Sequence, residues 1–240
     1  MDKVLVFDIG ADYAHFKKYY TTTSPLTFAV PPKTTLYGIV GAILGLDKKD
    51  YLKSFQKGTC KIGIEIINPI VKTRMGINLI NTKNAILMSR IINRTQIRTE
   101  YLKNVKYRIY FHHKNKELYN ELKKLLKEHK SVYSVSLGLS ENLANFEFIG
   151  EHTIKKIEKN SEWVELNTIL HLDEENLNKG DIDFSLSNRE YFSDKIALEM
   201  KPDREVISYG QIVFERNGKS IKASPEKYYQ LETGEKCIFL

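Results

Sequence analysis

The sequence has few of the residues that build disulfide-linked or metal-stapled folds. Only two of its 240 residues are cysteine, Cys60 and Cys237, and they lie far apart without metal-ligand spacing. This pattern argues against a disulfide scaffold and a zinc site, and it favours a reducing compartment. No apolar run reaches the roughly 18 residues of a membrane-spanning helix, and Asp8 stands where a signal peptide would continue its apolar stretch. We therefore expect a cytoplasmic protein with no membrane association, metal ion or other cofactor.

Positive charge is concentrated in the middle of the chain. The net charge is +7, yet residues 68–108 alone contain nine Lys or Arg and one acidic residue. These cations alternate with apolar residues rather than with Gly and Ser. A basic block of this kind is typical of nucleic-acid contacts, because each cation that neutralises a phosphate releases a counterion. A solvated loop and a contact with an acidic protein partner are the alternatives.

One stretch, Thr21 to Leu46, organises the N-terminal half of the chain. Its prolines predict an extended approach, and a helix with a 3.6-residue apolar period follows. Thr34 or Thr35 is predicted to cap this helix and Gly45 to end it. The apolar face consists of Leu36, Ile39, Val40, Ile43 and Leu44.

The succession of elements predicts an α+β fold. Val4 to Ile9 reads as a buried strand, and alternation predicts further strands from Lys61 and from Lys106. Asn115 is expected to cap a second helix, and a fourth strand is expected from Asn145. The order strand, helix, strand, strand, helix, strand is that of a ferredoxin-like, RRM-like core with both helices on one face and the other face free.

The sequence also suggests two domains. Residues 1–158 would hold this core, with a long excursion at about residues 74–100 between its second and third strands. Residues 159–240 read as a small β-rich domain of short strands, in which Asn217 and Gly218 would form a hairpin turn.

Aromatic and basic residues alternate at two places in the predicted core. The segment after the first strand combines rings and cations, and the strand at Lys106 would show Arg108 and Tyr110 on one face. Such pairs bind single-stranded nucleic acid, because rings stack on bases while cations follow the phosphates. Packing of the same rings in the core is the alternative.

Two motifs resemble a known family. GADYAHFKKYYTTTS followed by FAVPPKTTLYGIVGAILGL resembles the N-terminal signature of CRISPR-associated protein family five, of the RAMP superfamily. YLKNVKYRIYF and VSLGLSENLANFEF look like the third strand and post-helix loop of that family, so the resemblance covers about the first 150 residues. The TTTS and YRIYF pieces are similar to a type I-B-like branch.

The resemblance implies a non-catalytic subunit that binds and caps the 5′ handle of CRISPR RNA in a type I Cascade-like antiviral ribonucleoprotein. Backbone and large subunits would be its protein partners, and target DNA would lie near the excursion, which acts as a thumb in the family. The candidate RNA contacts are Tyr13, His15, Lys17, Lys18, Tyr20, Lys33, Lys72, Arg74, Arg90, Arg94, Arg98, Arg108 and Tyr110.

An enzymatic alternative remains open at this point. Some members of the family cut CRISPR repeat RNA without metal, which needs a base for the 2′-hydroxyl and a cation for the phosphorane. Tyr37, His112, His113 and Lys114 are the residues that could do so here. In the branch that the sequence resembles, cleavage normally belongs to another subunit, so we do not expect an enzyme.

Overall fold

The computed structural model describes residues 2–21, 23–49, 51–56, 58–80, 94–158 and 162–240. Within these residues the chain is mostly strands with three α-helices, and the predicted mixture of α and β structure is confirmed. None of the described helices is long and apolar enough to cross a membrane. The helices are α1 (Lys33–Leu44), α2 (Tyr51–Ser54) and α3 (Lys116–Lys127). The strands are β1 (Lys3–Ala14), β2 (Phe16–Lys17), β3 (Thr27–Phe28), β4 (Cys60–Ile66), β5 (Val71–Ile80), β6 (Arg94–His113), β7 (Asn145–Glu158), β8 (Val164–Leu166), β9 (Leu170–Leu172), β10 (Tyr191–Met200), β11 (Val206–Glu215), β12 (Ile221–Ala223), β13 (Lys227–Leu231) and β14 (Lys236–Cys237).

Seven strands form an antiparallel sheet around the apolar strand β1. The hydrogen-bonded order is β14-β13-β7-β1-β6-β4, and β5 pairs with the first half of β6, outside this path. In β1, Val6 lies opposite Tyr110 of β6 on one side and Gly150 of β7 on the other. The elements β1, α1, β4, β6, α3 and β7 follow one another in the order that the sequence predicts, with shorter elements between them.

The two long helices cover one face of this sheet. Side chains alternate along β1, so Leu5, Phe7 and Ile9 all point to the same side. They are fully buried in one core cluster with Ile43 of α1 and Leu122 of α3. The apolar stripes that predicted these helices are therefore the surfaces that pack on the sheet.

The sequence predicts three helix ends, and two of them are confirmed. Asn115 caps α3, because its side chain accepts hydrogen bonds from the N–H groups of Glu117 and Leu118. Gly45 ends α1 in the left-handed conformation, with φ of 73°. The expected threonine cap of α1 is wrong: Pro32 is the N-cap residue, and its carbonyl accepts from the N–H of Thr35.

The opposite face of the sheet is covered, which corrects the prediction of a free face. Val6 and Tyr110 are buried there in a second cluster with Ile154 of β7, Leu231 of β13 and Cys237 of β14. The last residues of the chain then reach the far edge of the sheet, where the N–H of Leu240 donates to Ile62 O of β4 at 2.9 Å. The C-terminal segment therefore occupies the face on which bases were expected to stack.

The remaining C-terminal strands form two small sheets. β11 lies between β10 and β9, and β12 pairs with β8. Asn217 and Gly218 lie between β11 and β12, but these two strands pair with different partners, so the expected hairpin is wrong. Ile212 of β11 joins the main core, whereas Val213 belongs to a separate apolar cluster. The domain boundary at residue 158 stays a prediction.

Candidate nucleic-acid interface

The basic segment forms a two-stranded arm. β6 is 20 residues long: its second half lies in the main sheet, and its first half pairs with β5 beyond the edge of that sheet. The paired residues run from Val71 opposite Lys103 to Ile80 opposite Arg94. The described parts of the predicted thumb, residues 74–80 and 94–100, are this arm. Arg90 lies outside the described residues.

The strand register places Lys72 and the three described arginines of the thumb on one face of the arm. Lys72 lies opposite Leu102, Arg74 opposite Glu100, Gly76 opposite Arg98, and Ile80 opposite Arg94. Directly opposed residues of an antiparallel pair share a face, and alternate residues along a strand do too. Lys72, Arg74, Arg94 and Arg98 are all exposed there. We call this surface the cationic face of the arm.

The cations of this face differ in their partners. Lys72 Nζ binds Glu100 Oε1 at 2.9 Å and Thr27 O at 3.0 Å. In the described part of the chain, Arg74, Arg94 and Arg98 have neither an ion-pair nor a hydrogen-bond partner on their side chains. No described residue therefore competes with an external anion for these three guanidinium groups.

The reverse face of the arm has an apolar stripe beyond its base, where Lys103 lies opposite Val71. Its alternate positions carry Met75, Ile77 and Leu79 on β5, and Ile97 lies opposite Ile77 on β6. Leu79 is exposed, and the other three are partly buried. A phosphate would therefore meet the arm on its cationic side.

The segment after β1 places its predicted residues in different environments. Tyr13, near the end of β1, and Lys17 and Tyr20, which follow that strand, are exposed and can reach a ligand. His15 is buried, with Nδ1 at 2.7 Å from Glu100 O; because a carbonyl only accepts, Nδ1 is the donor. This bond ties the segment to the arm, and a direct contact of His15 with RNA is not possible in this structure.

Lys18 is held rather than free. Its Nζ pairs with Asp194 Oδ1 of β10 and lies 5.1 Å from the ring centre of Phe28. Burial lowers the pKa of Lys18, but the hydrogen bond and charge of Asp194 outweigh it, so the pKa is raised. Lys18 therefore stays charged and fixes the segment after β1 to the C-terminal strands.

The predicted RNA contacts in the main sheet and in α1 are buried or already bonded to other residues of the protein. Tyr110 is fully buried, and its hydroxyl donates to Glu65 at 2.5 Å, so its predicted stacking on RNA is wrong. Arg108 Nε binds the buried Asp8 at 2.8 Å, and this hydrogen bond is the main cause that raises the pKa of Arg108. Lys33 is buried at the start of α1 and lines a cavity that His171 and Glu199 also line.

The residues of the nuclease alternative do not form an accessible site. His113 is buried; its Nε2 donates to Ser54 O at 2.8 Å, and its Nδ1 accepts from the N–H of Asn115 at 3.0 Å. Tyr37 is buried and stacked on Phe55, and burial raises the pKa of Tyr37.

His112 Nδ1 lies 2.9 Å from Lys3 O, and burial lowers the pKa of His112. Lys114 is exposed. Neither His113 nor Tyr37 can reach an RNA phosphate in this structure.

The C-terminal strands supply aromatic and basic residues that sequence reasoning missed. The ring of Tyr209 on β11 lies 5.2 Å from that of Tyr19, which in turn lies 5.1 Å from Tyr20. Lys195 Nζ on β10 is 5.5 Å from the centre of the Tyr209 ring. Tyr19, Tyr20 and Tyr209 are all exposed. No local pattern marks Tyr209 or Lys195, because only the packing of β10 and β11 on the segment after β1 brings them here.

Comparison with known proteins supports the resemblance found in the sequence. Among solved structures, a CRISPR protein from Archaeoglobus fulgidus is 15% identical with a TM-score of 0.59, over 99% of this chain and 98% of that one. A chain of a CRISPR RNA-guided surveillance complex is 11% identical with a TM-score of 0.51, over 92% of this chain and 91% of that one. These likenesses show a shared fold. No protein with a curated description matches the sequence. A family model described as CRISPR-associated protein (Cas_Cas5) matches residues 4–214. The chain therefore belongs to the CRISPR-associated Cas5 family.

Proposed function

We propose that this protein is the subunit of a Cascade-like antiviral ribonucleoprotein that binds CRISPR RNA and holds its 5′ handle. Its family is CRISPR-associated, and one structure of similar fold is a chain of a CRISPR RNA-guided surveillance complex. In such complexes the guide reads the target by base pairing, while the protein contacts the backbone and shape of the nucleic acid. The chemistry needed from this subunit is therefore phosphate binding.

The cationic face of the arm is the observation that carries this proposal. Arg98 lies two residue pairs along the arm from Arg74, and Arg94 four pairs further. At about 3.3 Å per residue these steps are roughly 7 and 13 Å. The three guanidinium groups thus follow a line on an exposed surface, and a single RNA strand laid along the arm would meet them in turn. Arginine suits this role because its planar fork binds phosphate oxygens in pairs.

We also propose that β7, β1, β6 and β4, with α1 and α3, form a ferredoxin-like unit. The antiparallel order β7-β1-β6-β4 and the two helices on one face support it. In RRM proteins the open face of such a sheet stacks on bases. Here Tyr110 and the C-terminal residues fill that face. RNA would therefore contact the arm and the segment after β1 rather than the sheet.

The identities of the other partners follow from this assignment. Backbone and large subunits, and target DNA near the arm, are the partners that we propose, in the cytoplasm. The type I-B-like branch also stays a prediction.

The experiment mixes the purified protein with 5′-labelled CRISPR repeat RNA in EDTA and runs each sample on native and denaturing gels. We expect a shifted, intact RNA. Arg98→Glu should weaken the shift strongly, because it places an acid on the cationic face. Lys155→Glu is the matched control, since Lys155 is an exposed lysine on the part of β7 that extends past the start of β1, at the opposite end from the arm.

Two results would overturn the proposal. RNA cut in EDTA would make the protein a metal-independent nuclease. No shift with the wild-type protein, in the presence or absence of its partner subunits, would favour an adaptor that binds an acidic protein.

A further inference from the structure

A pocket lies at the base of the arm, where β3 and the start of β5 meet β10 and β11. Its volume is about 440 Å³, within the range of roughly 300–1,000 Å³ typical of small-ligand sites. The inner wall is apolar and buried, formed by Ala29, Ile70 and Phe214. Phe192 stands at the rim with 48% of its surface exposed. Its ring lies 6.0 Å from that of Phe214 at an interplanar angle of 21°. The pocket therefore offers flat aromatic surface beside an apolar floor.

Three cations line the same pocket, and each is held in place. Lys18 pairs with Asp194, and Lys72 is bound by Glu100 and Thr27 O. Arg216 Nε donates to Ile70 O at 3.0 Å and Nη1 to Glu190 Oε2 at 3.1 Å. Asp194 is the one acidic side chain among the described residues that line the pocket. Each cation thus has an acidic partner. Only two of the three N–H donors of Lys72 and two of the five of Arg216 are used, so both keep donors in fixed positions for a ligand.

An aromatic wall beside cationic N–H donors in fixed positions fits a ligand that is flat at one end and anionic at the other. An unstacked nucleotide has this chemistry, because its base stacks on rings and its phosphate pairs with cations. Lys72 belongs both to the pocket and to the cationic face of the arm, so the two surfaces are continuous. A strand that follows the arm reaches the pocket without a break.

We propose that this pocket binds one unstacked nucleotide of the RNA strand that follows the arm, with its base against Phe192 and its phosphate beside Lys72 and Arg216. This inference rests on the proposed function, because it needs an RNA strand on the arm. It names a contact from the C-terminal strands that the arm alone does not provide. The pocket would fix the position of the strand along its length, whereas the arm attracts it.

The test replaces the ring and the base separately. Repeat RNAs with an abasic site at each successive handle position are titrated into wild-type protein and into Phe192→Ala. With intact RNA, Phe192→Ala should lower affinity by roughly 5- to 150-fold, the equivalent of one stacked base. One abasic position should weaken wild-type binding similarly, and combining it with Phe192→Ala should add almost nothing. The salt dependence of binding should not change, because no charge is removed.

Phe184→Ala is the matched control, because Phe184 is 49% exposed and lies outside the pocket. Phe184→Ala should leave RNA affinity unchanged. Phe192→Tyr keeps a ring at this position, so its RNA affinity should be close to that of the wild type. Thermal unfolding of each variant checks that the fold is intact.

The outcomes separate this inference from the proposed function. Full affinity of Phe192→Ala, together with loss of affinity in Arg98→Glu, would refute the pocket and leave the arm. If Phe192→Ala lowers the affinity for every abasic RNA by the same factor as for intact RNA, the loss does not depend on any one base. That result would indicate a structural effect of the substitution and would also refute the pocket. If the wild-type protein binds no repeat RNA, the proposed function itself fails.

Discussion

The cations of the arm and the cations at its base are held in opposite ways. Arg74, Arg94 and Arg98 project from a two-stranded ribbon and have no partner among the described residues. Lys18 and Arg216 at the base each pair with an acid of the C-terminal strands or the loop before them. The same residue types therefore occupy two surfaces that meet at Lys72.

The arginines of the arm would attract the RNA, whereas the paired cations at the base would fix the position of its strand. An unpaired guanidinium contributes to the field of the protein and releases a counterion when a phosphate binds, so its effect is large and depends on salt. A cation that is already paired contributes little net field, but its position is set before the ligand arrives. Substitutions on the arm should consequently change RNA affinity and leave stability unchanged, whereas substitutions of the acids at the base should change stability.

The largest effect should come from removing the three arginines of the cationic face together. In Arg74→Ala/Arg94→Ala/Arg98→Ala we expect RNA affinity to fall by about a thousandfold, since each charged hydrogen bond contributes roughly 1.5 kcal/mol. The free energy of unfolding should change by less than about 0.5 kcal/mol per site, because the residues are exposed. Filter binding and urea titration measure the two quantities.

The control for this triple variant removes three exposed lysines away from the arm, Lys116, Lys127 and Lys155. It has the same net charge as the arm variant. An equal loss of affinity in both variants would show that net charge, rather than the cationic face, determines binding.

Substitution of Glu215, the buried acid next to Arg216, should have a smaller effect, and this effect is on the free energy of unfolding. Glu215 accepts hydrogen bonds from the N–H groups of Glu190, Asn217 and Lys219 at 2.8–3.0 Å. Glu215→Ala leaves these donors without their acceptor, so the free energy of unfolding should fall by about 3 kcal/mol. Urea denaturation measures it. Glu190→Ala is the comparison, because loss of this half-exposed acid should cost about 1 kcal/mol or less. An equal loss of stability in both variants would contradict the role of Glu215 as the acceptor of these three N–H groups.

Breaking the pair that anchors the segment after β1 should cost less. Lys18 and Asp194 are mostly shielded from water, with side-chain exposures of 11% and 17%. Asp194→Ala should lower the free energy of unfolding by about 2 kcal/mol, because it leaves a poorly solvated cation without its partner. Glu205→Ala removes the acid of the exposed pair with Lys201 and should cost at most about 1 kcal/mol. Similar values for the two would mean that Lys18 is not held by Asp194 in solution.

The smallest effect is a dependence of stability on pH. Burial would raise the pKa of Glu215, but the N–H donors outweigh it and the pKa lies below its ordinary value. A lowered folded pKa means that the contribution is complete above the unfolded pKa, about 4.5, and is lost as pH falls through the folded pKa. The stability difference between wild type and Glu215→Gln should thus stay constant from pH 7 to about 5 and shrink at lower pH. A difference that grows on acidification would contradict this sign.

Local patterns predicted the features that depend on neighbouring residues. The apolar period of α1, the cap at Asn115 and the left-handed Gly45 all follow from a few adjacent positions, and so does the block of cations in the arm. The prediction of a threonine cap for α1 failed because Pro32, with its fixed φ, is the N-cap residue, two residues before Thr34.

The errors concern contacts between distant parts of the chain. Tyr110 reads as a stacking residue on its own strand, but it is buried by Leu231 and Cys237, more than a hundred residues later. Phe192 and Arg216 carry no local signal, and only folding brings them to Lys72. His15 was misassigned for the same reason, because its partner is the backbone of Glu100.

The salt dependence of RNA affinity tests the central claim most directly. The dissociation constant for repeat RNA is measured over a range of salt concentrations for the wild type and for the triple arginine variant. Because each phosphate contact on a single strand contributes about −0.7 to the slope of log K against log salt, the variant should lose about two units of slope. Identical slopes for the two proteins would contradict the claim that the cationic face of the arm binds the RNA backbone.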